Sequence, residues 1–466
     1  MRRRIVLGPA VLAVLVALAL VLGVTLASRR DNGGVRIVPI GHVPGGLLLD
    51  PRTGHIFVSN AADNTVDTID ERTGALVRAA AVDFSPTISV LDRRTGHVLV
   101  LDTAGIGVSI LDPVSGRLLR TVSLAASPVA MVVSTRTGRI FVATSDDTVD
   151  TLDGRAETVL RTVAAGITTG GNVVPTAVMA VDDRSSHVFV LDNDLGATLN
   201  GTVSVLDAVS GRLVRRIVVG PEPTAVSVDE RTGRAFVASS NSISVLDTRR
   251  LTLVRTVTIG SSNAPLVSGA PVVDAAMSRV YVTTYTGGES VSILDAASGR
   301  LLRTVALHSA PDLILVDAVT GRVFTVGADG VGVLDERHGT LLRTIAEHWA
   351  YRLEAAINAH SGEVAVVAAP PGGPNNADQM SGITLFDGRT GNPLRGEIPT
   401  GVGPVALSVD ERTGRAVVLN QGGVVAADDP WSWMPGWLRH FLPFIPRQGP
   451  ATRAVPASVS IVDLGR

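Results

Sequence analysis

Cysteine is absent from all 466 residues. That excludes disulfides, thiolate metal sites, cysteine nucleophiles and a lipoprotein-type anchor. Lysine is absent as well: all 41 basic residues are arginine, which reads as a coding bias toward high GC and not as a site. Aromatic residues make up only 3%, so the places where they gather stand out. No charge sign dominates. A formal net charge of −2 supplies no global field to recruit nucleic acid or an acidic surface, and no nucleic-acid partner is expected. Also missing are Gly-x-Ser-x-Gly, His-Glu-x-x-His, a P-loop and a helix-opening Gly-x-Gly-x-x-Gly. No cofactor is expected.

Long, almost wholly apolar runs are also scarce, with one informative exception. Ile5–Ala27 is a 23-residue run without a charge, directly after Arg2, Arg3 and Arg4. As a helix it would measure about 34 Å, enough to cross a hydrocarbon core of about 30 Å. It exceeds the apolar core of a typical signal peptide. The expected organisation is therefore a cytoplasmic stretch 1–4, a transmembrane signal-anchor 5–27, a polar linker 28–35 and one extracytoplasmic domain 36–466. The alternative is secretion after cleavage near Ala27.

Repetition is what the rest of the chain has in abundance. The stretch Pro223–Ile259 contains four short Val- and Ile-rich runs: Thr224–Val228, Ala235–Ala238, Ile243–Leu246 and Leu253–Ile259. Gly, Asn, Asp and Ser break them, which is the pattern of an antiparallel meander. Nine Ser-Val-Leu-Asp-like runs end at Asp70, Asp112, Asp153, Asp207, Asp247, Asp295, Asp335, Asp387 and Asp463. They lie about 40 to 55 residues apart until the last. Four strands per unit at this period predict an all-β chain folded as one β-propeller. Nine blades are counted; seven or eight with a degenerate unit is the alternative. The repeated Asp residues read as turn caps, because Asp bonds backbone amides two residues on and Gly closes the turn. The last unit lacks a fourth strand. Arg36–Gly41 resembles the fourth strand Arg255–Gly260, so the N-terminal strand is expected to complete the C-terminal blade.

Phe57-Val58-Ser59-Asn60 and Tyr281-Val282-Thr283-Thr284, each followed by a Val-x-x-Ile/Leu-Asp strand, resemble YVTN-type β-propeller repeats, which are related in shape to NHL and lactonase-type propellers. The resemblance covers residues 36 to 466. It implies a propeller that is extracytoplasmic or surface-borne, and it names no ligand. One unit keeps the terminal Asn, and the eighth (Val364–Val367) lacks the aromatic.

Within such a fold, first-to-second and third-to-fourth turns share one face, and the remaining connections share the other. Extra length falls in the second set: Gly166–Val174, Asp192–Gly201, Gly260–Gly269, Ala369–Gly382 and Gln421–Pro456. Rigid scaffolds carry binding residues on loops of this kind. The elaborated face is the expected functional face, with tolerated insertions as the alternative. Two stretches on it stand out. His348, Trp349, Tyr351, Arg352 and Glu354 open the eighth unit, and Arg352 replaces the Pro found in six others. A ligand held by Arg352 and stacked on an aromatic is expected there. The alternatives are an Arg352–Glu354 pair plugging the channel, or zinc held by His348 with His42 and His308, placed in neighbouring units. The second stretch, Trp431–Arg447, carries Trp431, Trp433, Trp437, Phe441 and Phe444, suited to a membrane interface or a partner protein. A cap on the last blade is its alternative.

The combined expectation is a membrane-anchored propeller that binds a small ligand or a protein on its elaborated face, without catalysis. The alternative is a metal-dependent hydrolase or lyase of lactonase-like type. It would draw oxygen ligands from Asp63, Asp146, Asp192, Glu289, Asp329 and Asp378.

Overall fold

The computed structural model describes residues 34–464 apart from 156–157, 167–177, 193–200, 260–266, 285–288, 309–310, 328, 347–352, 369–380 and 427–451. The described residues form nine four-stranded antiparallel sheets and no helix. The sheets are the blades of one β-propeller. We number blades 1 to 9 by their first strands: Pro44–Asp50, Pro86–Leu91, Pro128–Val133, Met179–Asp182, Ala225–Asp229, Val267–Asp274, Pro311–Asp317, Leu353–Asn358 and Pro404–Asp410. Each first strand packs beside the next, and blade 9 packs back against blade 1. No described helix is long and apolar enough to cross a membrane; residues 5–27 lie outside the described set.

Blade 5 shows why the unit folds as it does. Its strands are Ala225–Asp229, Arg234–Ser239, Ser242–Asp247 and Thr252–Thr258. The first turn is closed by Asp229, whose carboxylate accepts the Arg231 amide at 3.0 Å and the Thr232 hydroxyl at 2.7 Å. Gly233 then takes φ +67°, a conformation that favours glycine. The second strand is buried on both faces (Ala235 to Ser239), whereas most of the fourth is exposed. Burial thus falls off from the middle of the blade outward.

Ring closure follows the expected route. Val35–Pro39 pairs antiparallel with Ser458–Asp463, with Arg36 opposite Ile461, the same register as Arg255 opposite Val245 in blade 5. Pro39, without an N–H, sits on this outer edge strand. The ninth blade also carries an added ladder, Gly423–Ala426 with Thr452–Val455, between its second and third strands.

There is no single central core. Nine buried apolar clusters each straddle one blade–blade interface. The aromatic of the second strand points onward: Phe236 of blade 5 packs with Val280, Val282 and Leu294 of blade 6. Phe57, Phe141, Phe189, Tyr281 and Phe324 do the same in their blades, while Leu99, Ala365 and Val417 hold that position in blades 2, 8 and 9.

The arginines, read from composition as coding bias, have structural work on the turn side of the ring. Arg52 of blade 1 donates to the Gly96 carbonyl of blade 2 at 3.2 Å, and Arg412 of blade 9 donates to Pro51 of blade 1 at 3.0 Å. Arg234 donates to Ala297, Arg78 to Ser115 and Arg161 to Ser210, each in the following blade. Arg279 reaches both the Glu336 and Arg337 carbonyls of blade 7. A planar fork with five donors can bond two carbonyls at once, which an ammonium group does less well.

Truncation of Phe236 to Ala should lower stability by about 3–5 kcal/mol, because the interface loses a buried ring. Val254→Ser on the exposed outer strand should change it by less than about 0.5 kcal/mol. Chemical denaturation of the two variants checks the difference.

Candidate functional site

The elaborated face rests on a buried polar layer. The second strands end on it at Asn60, Asp102, Thr144, Asp192, Ser239, Thr284, Gly327, Ala368 and Asn420. The seven polar residues among these are all buried. Asn420 occupies the register position of Asn60, so two units keep the terminal Asn, not one. Pro44, Pro86, Pro128, Pro311 and Pro404 stand opposite these ends, each followed by a bulge in blades 1, 2, 3, 7 and 9.

One layer deeper, mid-third-strand residues fix the incoming connectors. The Gly41 amide donates to Asp67 at 3.3 Å, and the Gly220 amide to Ser244 at 3.1 Å. Ser204 donates to the Ala165 carbonyl at 2.7 Å. A Cβ on Gly41 would fall 2.6 Å from the side chain of buried Asn60, so this close approach favours glycine. Loops on this face therefore start and end on fixed points. Burial raises the Asp67 and Asp150 carboxyls, against hydrogen bonds that lower them. Burial likewise pushes Asp102 up to about 7, against the Ser109 hydroxyl at 2.8 Å; the Asp83 charge adds to the rise.

The surface above this layer is acidic. Asp63, Asp83, Asp146, Asp147, Glu222, Glu289 and Asp329 lie at its described loops, which carry no arginine. Asp63 is held below the ordinary carboxylate range first by the His42 amide, at 2.6 Å, and then by the His42 ring, at 3.0 Å. Asp146 accepts the Thr144 and Thr148 hydroxyls.

The three-histidine arrangement does not form. In a ring of nine, blades 8 and 9 separate blade 7 from blade 1, so His308 and His42 are not neighbours. Among the described residues no group of three His, Asp or Glu side chains could hold a metal ion. Of the residues nominated at the channel mouth, Glu354 is half-buried on the first strand of blade 8, opposite Val367. His348, Trp349, Tyr351 and Arg352 lie outside the described residues, as do Asp378, Trp431, Trp433, Trp437, Phe441 and Phe444. The chain enters and leaves 427–451 through the added ladder on the elaborated face.

The opposite, turn-bearing face holds what the sequence reading missed. Its repeated Asp residues are caps, as expected. Asp295 accepts the Ser298 hydroxyl and amide, which hold it below the ordinary range, and Asp387 is held down in the same way by Thr390. At the closure seam, however, a depression of about 760 Å³ opens between blades 9 and 1, lined by Gly34, Asp70, Glu71, Arg72, Arg412 and Arg415 among others. Glu71 is buried at its floor, 2.7 Å from the Thr413 hydroxyl and 3.8 Å from Arg415. Burial, and then the adjacent Asp410 carboxylate, pushes Glu71 up to about 7. The Asp410 carboxylate beside it is lowered, with burial opposing the shift and Glu71 and the Arg412 amide favouring it. Glu336 repeats the device against Asp274 between blades 7 and 6, again pushed up to about 7 by burial first. The signal was in the sequence: the residue after the third-strand Asp is Glu only in units 1 and 7.

No family model and no curated protein sequence matches this chain. Solved structures do. The dihydro-heme d1 dehydrogenase NirN, in complex with DHE, superposes with a TM-score of 0.53 at 12% identity, covering 79% of this chain and 78% of that one. BamB from Moraxella catarrhalis gives 0.50 at 14% identity, covering 83% of this chain and 97% of that one. These likenesses are of fold.

The buried carboxyls set a pH dependence. Glu71, Glu336 and Asp102 hold a proton in the folded chain up to about pH 7 that the unfolded chain releases near 4. Their contribution is complete below the unfolded values and is lost as pH rises through about 7. The capped turn Asp residues act in the opposite sense, below about pH 4. Stability should therefore peak near pH 5 and fall toward pH 8, and Glu71→Gln with Glu336→Gln should flatten that fall. Melting temperature across this range, for parent and double variant, checks it.

Proposed function

We propose that this chain is a membrane-anchored, extracytoplasmic β-propeller that binds a ligand or partner protein through its elaborated face. The observation that carries this reading is the asymmetry of the ring. Uniform short turns occupy one face, and the long connections leave the other, where seven of the nine second strands end on buried polar residues and connector backbone is fixed by Asp67, Ser204 and Ser244. Such a base orders the loop ends in advance, which lowers the entropic cost of binding. The blades are read as YVTN-type repeats, supported by the Phe57–Asn60 and Tyr281–Thr284 strands and by Asn420 in register with Asn60.

Residues 5–27 are proposed to cross the membrane. The chain enters the ring at Gly34 on the turn face, beside Asp463. The elaborated face then points away from the bilayer, and so does the exit to residues 427–451. We therefore assign Trp431, Trp433, Trp437, Phe441 and Phe444 to a partner protein and not to the anchoring membrane. His348, Trp349, Tyr351, Arg352 and Glu354 remain the proposed ligand contacts at the channel mouth. The hydrolase alternative would need converging carboxylates. The described candidates Asp63, Asp146, Asp192, Glu289 and Asp329 fall in five different blades.

A thermal-shift ligand screen on the full chain in detergent tests the reading. Stabilisation by one ligand class, lost in Arg352→Ala, is the expected result. Stabilisation that survives both Arg352→Ala and deletion of 427–451 would place binding elsewhere. A stoichiometric metal, with melting temperature lowered by chelator, would favour the hydrolase.

A further inference from the structure

The fourth strands carry a repeated irregularity that the binding reading leaves unused. In blade 1, Ile69 stands opposite Leu76 and Thr68 opposite Arg78, so Val77 is an extra residue extruded by a β-bulge. The same step extrudes Leu119, Leu160, Val214, Val254, Leu302, Leu342 and Leu394. All eight are Val or Leu, and each is followed directly by an arginine. Their exposure runs from 39% at Leu119 to 54% at Leu302. Only the outer strand of blade 9, where the chain enters, lacks the bulge.

A bulge on an outer strand blunts an edge against other strands. A polar residue would serve that purpose without exposing hydrocarbon to water. Eight aliphatic side chains at one level of the ring call for another explanation. That level is the turn-side edge, since the bulged residue is the second or third of its strand, within about 10 Å of the turn. Turn tips on the same face expose further aliphatics, Val114, Val209 and Val319.

The charge arrangement on this face is layered. The terminal Asp residues of the first strands (Asp50, Asp182, Asp229, Asp274, Asp317 and Asp410 among them) are buried, whereas Arg72, Arg93, Arg136, Arg155, Arg249 and Arg300 are exposed above them. Formal charges on the face nearly balance, but guanidinium groups predominate in its outer layer, where Glu230, Glu411 and Asp463 are the exposed carboxylates among the described residues. The elaborated face is the reverse, with carboxylates outermost.

We propose that the turn face lies on an anionic phospholipid surface, with the bulge-borne aliphatic ring at headgroup level and the outer arginines on the phosphates. This rests on the proposed anchor at residues 5–27. The six residues between that segment and Gly34 span at most about 20 Å, so the turn face is held within a short tether of the bilayer. Arginine beside aliphatic side chains is the composition of an interfacial surface.

The test uses the full chain in nanodiscs of phosphatidylcholine, with or without phosphatidylglycerol and with a headgroup-linked quencher. The absence of native cysteine makes single-cysteine labels specific. Labels at Val114→Cys and Val319→Cys should lose roughly half their fluorescence in anionic discs, with the loss relieved by salt. A label at Phe84→Cys, exposed on the elaborated face, should not change. Arg93→Gln, Arg136→Gln and Arg249→Gln together should weaken quenching at the turn-face positions. A chain that does not enter the discs at all would refute the anchor. A chain that enters them with turn-face labels unquenched would overturn the docking proposal alone, as would protection of those positions by a second copy of the chain in the same disc.

Discussion

No blade of this ring can bury its own apolar faces. Each sheet is one layer thick, and the hydrophobic effect is satisfied only when the next sheet covers it. The nine apolar clusters therefore sit between blades, and the second and third strands, covered on both sides, are the most buried elements of the units. An open array would leave two bare faces. Closure is thus a condition of stability, which is why a strand from one end of the chain is built into the blade at the other.

The same interfaces explain how the faces divide their roles. On the turn side, arginines cross from blade to blade and bond carbonyls of the following turn, so each turn fixes its neighbour. Such turns cannot lengthen without breaking that chain of contacts. On the other side, the blade-to-blade tie lies below the surface, between connector amides and residues such as Asp67 and Ser244. Loops above it can grow without disturbing the ring. The position of the long connections follows from where the inter-blade hydrogen bonds were placed.

Much of the fold was legible in the sequence because it is periodic. The Ser-Val-Leu-Asp runs, the Thr-Gly turns and the likeness of Arg36–Gly41 to Arg255–Gly260 carry strand order and closure almost by themselves. Three matters were not legible. The equivalence of Asn420 and Asn60 depends on register across a long insertion, which local pattern cannot supply. The separation of His308 from His42 depends on the number of blades, a global property on which a neighbour argument has no hold. The pairing of Glu71 with Asp410 joins residues at opposite ends of the domain, and only closure brings them together. The candidate binding residues around Arg352 were legible as a departure from the repeat, since the proline that opens six other units is missing there.

The closing strand is the first part of the domain to be synthesised and the last to find its place. Arg36 pairs with Ile461, so almost the whole chain must exist before the pair can form. Until then Val35–Pro39 has no partner, and the third strand of the last blade presents an open edge. Contacts this distant are slow to form because the loop entropy precedes the reward. Eight blades can assemble by local hairpins as they emerge, but the ring as a whole becomes a single cooperative body only at its final step. Its folding rate is then set less by the repeats than by one meeting between the two ends.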